Sequence, residues 1–293
     1  MLQARAKPMA EASQQAQPQL IAGFDAGQTH TSCRLAWLAP DGQFSPIAEG
    51  QGSGVSHLAA VEGERRFIEA LHSSYSAAQQ AAQLSPDQRL AAAAVGASGI
   101  EQGSRVQDLG HALASRCLGV PGEKLLVCGD ERTALQGAFG DDPGILVISG
   151  TGCISLGRNQ RGETHRCGGW GWLLDGAGSA MDIGRDALAL SVQMADGRLV
   201  DTALREQLWR ALEVTTAEQL KAAVVAPDFG PAGFARLAPL VDHCAEAGDD
   251  QAHDVIDRSA EALAHMVAGV AHALQLDPAP VCGLGGALRH LQQ

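Results

Sequence analysis

The stretch "GFDAGQTHTSCRLAWL", residues 23–38, decides how this chain is read. An apolar run leads into Asp25, turns on Gly27, Gln28 and Thr29, and leaves through a second apolar run: a strand, a tight glycine turn and a strand. The same order returns at "LVISGTGCISLG", residues 146–157, with Gly150, Thr151 and Gly152 in the turn. Two such openings, each followed by fresh strands and helices, predict two lobes of related architecture. Backbone N–H groups of a glycine turn can converge on phosphate oxygens and threonine hydroxyls add donors, so each turn is a candidate anion cradle. Read alone, each is also a plain hairpin turn. Asp25, at a strand end, is a candidate to hold Mg²⁺ through water, the oxygen-ligand arrangement that this ion prefers.

The composition fits a globular protein: 293 residues, 45% hydrophobic and 18% charged, enough for two domains of ordinary size. A formal charge of -12 without any basic run argues against a nucleic-acid partner. The seven cysteines form no CxxC pair, which favours reduced thiols and a cytoplasmic location over a disulfide frame. Residues 1–19 are rich in Gln and Ala, lack the apolar core of a secretory signal, and are expected to form a disordered tail. No window approaches the roughly 18 consecutive apolar residues of a membrane span, so no membrane partner is expected.

Between the two openings, helical periodicity around residues 57–82 and 104–119 alternates with apolar strands at 89–99 and 124–130. Asp130 ends the second of these strands ahead of a helix, where α/β proteins present catalytic carboxylates and where a plain helix N-cap also sits. The loop "CGGWGWLLDGAGSA", residues 167–180, sets Trp170 and Trp172 among glycines ahead of Asp175. It can shape a sugar pocket, with flat rings against an apolar sugar face, or its tryptophans can serve packing alone. From about residue 178 to 276 the pattern is mainly helical, and it closes on the strand-like "APVCGLGGA".

The segments "GFDAGQTHT", "CGDERTALQGAFG", "VISGTGCISLG" and "GGWGWLLDGAGSA" stand in the order seen in the N-acetylglucosamine kinases, relatives of the BadF/BadG type ATPases in the actin-like ATPase superfamily. The resemblance runs from about residue 20 to 290. It implies an α/β fold of two ribonuclease-H-like lobes, residues 20–141 and 142–293, with a central cleft for ATP and sugar. It further implies that Asp25, Gly27, Gln28 and Thr29 form the first phosphate loop and Gly150, Thr151 and Gly152 the second. Asp130 is then the catalytic base, Ser56, Gly169, Trp170 and Asp175 lie on the sugar side, and Gly285 with Gly286 starts the adenosine loop.

The chain departs from the family pattern where Gln28, Thr29 and His30 replace a Gly-Thr-Lys or Gly-Thr-Arg sequence. Gly176-Ala177-Gly178-Ser179 likewise replaces Asp-Glu-Gly-Ser, with Asp175 one place early. Ser56 and Ile154 stand where these kinases place asparagines on the sugar. The segment after Gly286 is shorter than in relatives, which predicts poor cover for adenine and room for a homodimer. The implied activity is ATP- and Mg²⁺-dependent phosphorylation of N-acetylglucosamine or glucosamine on a primary hydroxyl. The alternatives are an ATPase activator of a redox enzyme and a relative that binds nucleotide or sugar with weakened catalysis.

Overall fold

The structure, a computed structural model, describes residues 17–85 and 87–290. The expected tail therefore lies, as far as residue 16, outside the described residues, and Gln19 already belongs to the first strand. Two compact units divide between Thr133 and Ala134.

In the first unit, β1 (Gln19–Ala26), β2 (His30–Leu38) and β3 (Phe44–Ser53) form an antiparallel meander, and β4 (Ala92–Ala97) and β5 (Leu125–Cys128) extend it in parallel. The strand order is β3-β2-β1-β4-β5. Along β1 the buried residues are Leu20, Ala22, Phe24 and Ala26, so every second side chain enters one core, which is closed by α1 (Gly63–Ala81) and α2 (Arg105–Leu118). Helix α1 buries Phe67, Ala70, Leu71, Ser74 and Ala78, one helical stripe. It sits very close to β3: a Cβ at Gly50 would stand 2.1 Å from the Ala78 nitrogen, and one at Gly52 2.3 Å from Ser73 Oγ. Helix α2 starts on Ser104, whose hydroxyl accepts the Gln107 N–H, and stops on left-handed Gly119.

Helix α3 (Asp130–Phe139) carries the division. Its first turn rests on β4, where Thr133 fills the space left by Gly96, while Leu135 packs with Leu146 and Leu156 of the second unit. The sequence reading placed the division after residue 141.

In the second unit, β6 (Gly144–Ser149), β7 (Cys153–Arg158) and β8 (Thr164–Gly168) form an antiparallel meander and β9 (Val281–Leu284) runs parallel to β6. The order β8-β7-β6-β9 repeats β3-β2-β1-β4. This repeated meander-plus-parallel-strand topology is the ribonuclease-H-like fold. The long helix α9 (Asp250–Leu274) covers the sheet, with Val270 and Leu274 against Ile145.

Helices α4 (Ala180–Ala195), α5 (Ala203–Ala211), α6 (Ala217–Val224), α7 (Gly230–Ala235) and α8 (Ala238–Glu246) build a second core around Leu204, Leu208 and Val241. In it Trp209 donates its Nε1–H to Ser191 Oγ at 2.9 Å. Asp249 caps two helices: Oδ1 accepts the Gln251 and Ala252 N–H groups of α9, and Oδ2 accepts the Leu204 N–H of α5. The short helix α10 (Gly286–His290) follows β9. Among the described residues no helix is long and apolar enough to cross a membrane, and all seven cysteines are unpaired.

Candidate active site

In the first unit the site follows from strand register. Asp25 pairs with Ser32 on β2 and Gly96 on β4, and it lies on the face of β1 opposite the buried alternation. Gly96 has no side chain on that face, and a Cβ there would stand 2.2 Å from Thr133 Oγ1. Helix α3 can therefore lie against the strand. Thr133 Oγ1 donates to the carbonyl of Asp130 at 2.8 Å, which ties the start of α3 to the same place.

Asp130 opens α3 directly behind β5, half-buried. Burial raises its carboxyl above the ordinary aspartate range, the Glu131 N–H donated to Oδ1 at 2.9 Å works the other way, and the charge of Asp25 raises it again. A base whose affinity for a proton is raised by its surroundings suits proton abstraction better than an exposed aspartate does.

The β1–β2 turn is braced from behind. The Gly27 N–H donates to the His30 carbonyl at 3.1 Å, and the Val55 N–H donates to the Gly27 carbonyl at 2.9 Å. A Cβ at Gly54 would stand 2.1 Å from the Gln28 carbonyl oxygen, so only glycine lets this loop close on the turn. Gln28 and Thr29 are exposed, and among the described residues no backbone carbonyl takes their N–H groups, which is the condition for an anion cradle. Ser56 follows in the same loop, its Oγ buried with no hydrogen-bond partner among the described residues, and His57 Nδ1 accepts the Ala59 N–H at 3.2 Å.

In the second unit the β6–β7 turn is fastened to the start of α4. Ser149 Oγ donates to the Gly178 carbonyl at 2.6 Å, the Ala180 N–H donates to the Gly150 carbonyl at 2.8 Å, and Gly150 N–H closes the turn on Gly152. Burial, and then the charge of Asp175, push the Cys153 thiol up to about 12, so it serves as a neutral donor to the Ala177 carbonyl at 3.1 Å. Nothing lies within 4 Å of a Cβ at Gly150 or Gly152, which leaves the turn's outer face open. Gly285 crosses behind it against Ser149, and Gly286 opens α10.

The sugar-side candidates lie in the neighbouring β8–α4 loop. Gly168, Gly169 and Gly171 all have left-handed φ, and the Asp175 N–H donates to the Gly171 carbonyl at 2.8 Å. A Cβ at Gly169 would meet Ile154 Cδ1 at 2.8 Å. Trp170 is 60% exposed and Trp172 40%, with the Arg166 guanidinium 4.3 Å from the Trp170 ring centre.

The first unit thus gathers Asp25, Gly27, Gln28, Thr29, Ser56 and Asp130. The second gathers Gly150, Thr151, Gly152, Gly285 and Gly286, with Gly169, Trp170 and Asp175 in the next loop. Sequence reasoning missed Gly54, Gly96, Glu131 and Arg166. For Gly54 the alternating glycines of "GQGSG", residues 50–54, were the available signal. As to metal, no group of three or more His, Cys, Asp or Glu side chains gathers among the described residues. The Asp25 carboxylate is exposed and supplies the oxygen chemistry that Mg²⁺ takes through water.

Comparison with known proteins agrees with this geometry. Residues 22–293 match the model of the BadF/BadG/BcrA/BcrD ATPase family. An N-acetyl-D-glucosamine kinase of Dictyostelium discoideum is 36% identical over 135 residues, 46% of this chain and 42% of that protein. An N-acetylmuramic acid/N-acetylglucosamine kinase of Clostridium acetobutylicum is 31% identical over 181 residues, 62% of this chain and 57% of that one. The matches therefore span about half the length of these curated relatives. The solved structure of a candidate N-acetylglucosamine kinase from Chromobacterium violaceum superposes with a TM-score of 0.76 at 30% identity, covering 93% of this chain and 89% of that one. With its two ribonuclease-H-like units and a family match over nearly its whole length, the chain belongs to the BadF/BadG/BcrA/BcrD ATPase family.

Proposed function

We propose that this protein is an ATP-dependent kinase of an amino sugar, N-acetylglucosamine or glucosamine, acting on a primary hydroxyl. The observation that carries the reading is that α3, which Asp130 opens, packs through Thr133 against Gly96, the strand partner of Asp25, and that burial and the charge of Asp25 raise the Asp130 carboxyl. It is supported by the similarity to proteins named as N-acetylglucosamine kinases.

In this reading Asp130 takes the proton of the sugar hydroxyl, the freed oxygen forms a bond to the γ-phosphorus of ATP, and the bond from that phosphorus to the leaving ADP oxygen breaks. Gln28 and Thr29, whose N–H groups no backbone carbonyl among the described residues takes, offer them to phosphate, as does the open face of the Gly150–Gly152 turn. Gly285 and Gly286 belong to the adenosine side. Ser56 in the first unit and, taken separately, Gly169, Trp170 and Asp175 in the second are the candidates for the acceptor, with the exposed Trp170 ring suited to an apolar sugar face. Asp25 would hold Mg²⁺ through water, and that ion supplies charge neutralisation on the phosphates.

A coupled assay of ADP release over N-acetylglucosamine, glucosamine, N-acetylmuramic acid and glucose tests the reading. Sugar-dependent release confined to the amino sugars supports it. Release that no sugar stimulates, in protein that still hydrolyses ATP, rejects it in favour of the second reading, an ATPase activator of a redox enzyme, which is compatible with membership of an ATPase family.

A further inference from the structure

Strand β5, which leads into Asp130, is an edge of the first sheet: it has four residues and one neighbour, β4. An edge strand turns alternate carbonyls away from its neighbour, with nothing in the sheet to take them. Helix α2 takes two of these. Gln107 Nε2 donates to the Val127 carbonyl at 2.8 Å. His111 Nε2, which must carry a proton because both its partners are carbonyls, donates to Leu125 and to Gly122 at 3.2 Å each. The spacings match: four residues rise about 6 Å along a helix and two residues about 6.6 Å along a strand, so one face of α2 lays a ladder of side chains along β5. Between the two rungs Gly110 lets the helix close in, since a Cβ there would stand 3.5 Å from Val127 Cγ1 and 2.9 Å from Ile100 Cδ1.

The Gln107 rung is fixed at both ends. Its Oε1 accepts the Gly103 N–H at 2.7 Å, and Nε2 also reaches Gln102 Oε1 at 3.1 Å, so only one of the two amide orientations serves a donor and a carbonyl at once. Gln107 thereby ties the β4–α2 loop, which the Ser98 N–H fastens to the Ala26 carbonyl at the end of β1, to the last residues of β5. Val127 stands three residues before Asp130 and Leu125 five.

We propose that Gln107 is a positioning residue for Asp130: by holding the Val127 carbonyl it fixes the free edge of β5 where the strand hands the base to α3. The proposal rests on the functional reading above. A misplacement of about 1 Å at a reacting group costs on the order of a hundredfold in rate, and a four-residue strand with one neighbour resists such a shift little by itself. His111, at the start of the strand, serves stability alone.

The test measures kcat, both KM values and urea midpoints for Gln107→Leu, Gln107→Glu and His111→Ala, and repeats Gln107→Leu in an Asp130→Asn background. Gln107→Leu should lower kcat about tenfold with both KM values unchanged. Gln107→Glu still accepts from Gly103 but sets an oxygen against the Val127 carbonyl, so it should lose as much, and it guards the test against a leucine variant that fails to fold. His111→Ala should lower the urea midpoint and keep kcat within about threefold of wild type. In the Asp130→Asn background Gln107→Leu should change the residual turnover less than about threefold, because the group that it positions is gone. A kcat for a folded Gln107→Leu or Gln107→Glu within about threefold of wild type overturns the proposal. So does a tenfold loss that persists in the Asp130→Asn background, or an equal loss of kcat in His111→Ala.

Hydrogen exchange read by mass spectrometry needs no substrate. Gln107→Glu should speed exchange about tenfold over residues 127–131 and leave residues 19–26 of β1 unchanged. If wild type phosphorylates no amino sugar, the functional reading falls by that result alone, and unchanged exchange over residues 127–131 separately overturns the role of Gln107.

Discussion

Gly285 passes so close to Ser149 that a Cβ on it would stand 2.1 Å from the Ser149 carbonyl oxygen, and its φ is +102°. Gly286, next along the chain, has nothing within 4 Å of its own Cβ position. Gly285→Ala should therefore cost about 2 kcal/mol or more of stability, whereas Gly286→Ala should stay within about 0.5 kcal/mol. Urea unfolding of the two variants checks this, and equal midpoints would show that the crossing is not tight.

Asp249 joins α5 to α9 by capping both, while Thr202, the residue that precedes α5, makes no side-chain cap. Asp249→Ala should lose about 1–3 kcal/mol and Thr202→Ala less than about 0.5. The reverse ranking in chemical denaturation would place the cap on Thr202.

Asp242 on α8 is 7% exposed, and its Oδ1 has no partner among the described residues. Burial, helped by the charge of Glu246, raises its carboxyl above the ordinary range. The folded state then binds that proton more tightly than the unfolded chain does. Its stability is full below the unfolded value and falls as pH rises through the folded one. Asp242→Asn should melt above wild type at neutral pH, with the gain vanishing in acid. A variant no more stable than wild type at neutral pH would show that the carboxylate is not strained.

For the proposed base, Asp130→Asn should lower kcat at least about 10²-fold with ATP affinity nearly unchanged. Because Asp130 is raised and must be ionised to act, wild-type kcat/KM should fall with decreasing pH starting above the ordinary aspartate range. Turnover of the variant within about threefold of wild type would remove Asp130 from the chemistry.

The open face at Gly150 allows a clean test of the second turn. Gly150→Val with Thr151→Val should fold normally, since nothing crowds that position, yet bind MgATP about tenfold more weakly. Unchanged affinity by isothermal titration would leave "SGTG" a structural hairpin.

Much of this was legible because period-two burial and glycine turns are local signals. The pairs β1–β2 and β6–β7 could be read from residues 23–38 and 146–157 alone, and Asp130 from its place behind a strand. Other relations depend on approaches that no window contains. Thr133 fills the gap at Gly96 across two elements, Gly54 backs a turn on another strand pair, and Asp249 caps a helix 45 residues away. The bridge that Gln107 makes from Gly103 to Val127 depends in addition on a side-chain rotamer, which the order of residues does not specify.

The glycines at 50, 52 and 54 leave β3 and its following loop without side chains of their own where α1 and the Gln28–Thr29 turn press in. Such a strand has little independent means of staying closed. Its amide protons should become accessible to solvent only when α1 lifts away, so helix, strand and turn would exchange hydrogen for deuterium as one cooperative unit. A disturbance at the far surface of α1 would then be felt at the Gln28 and Thr29 N–H groups without any change in the residues that present them.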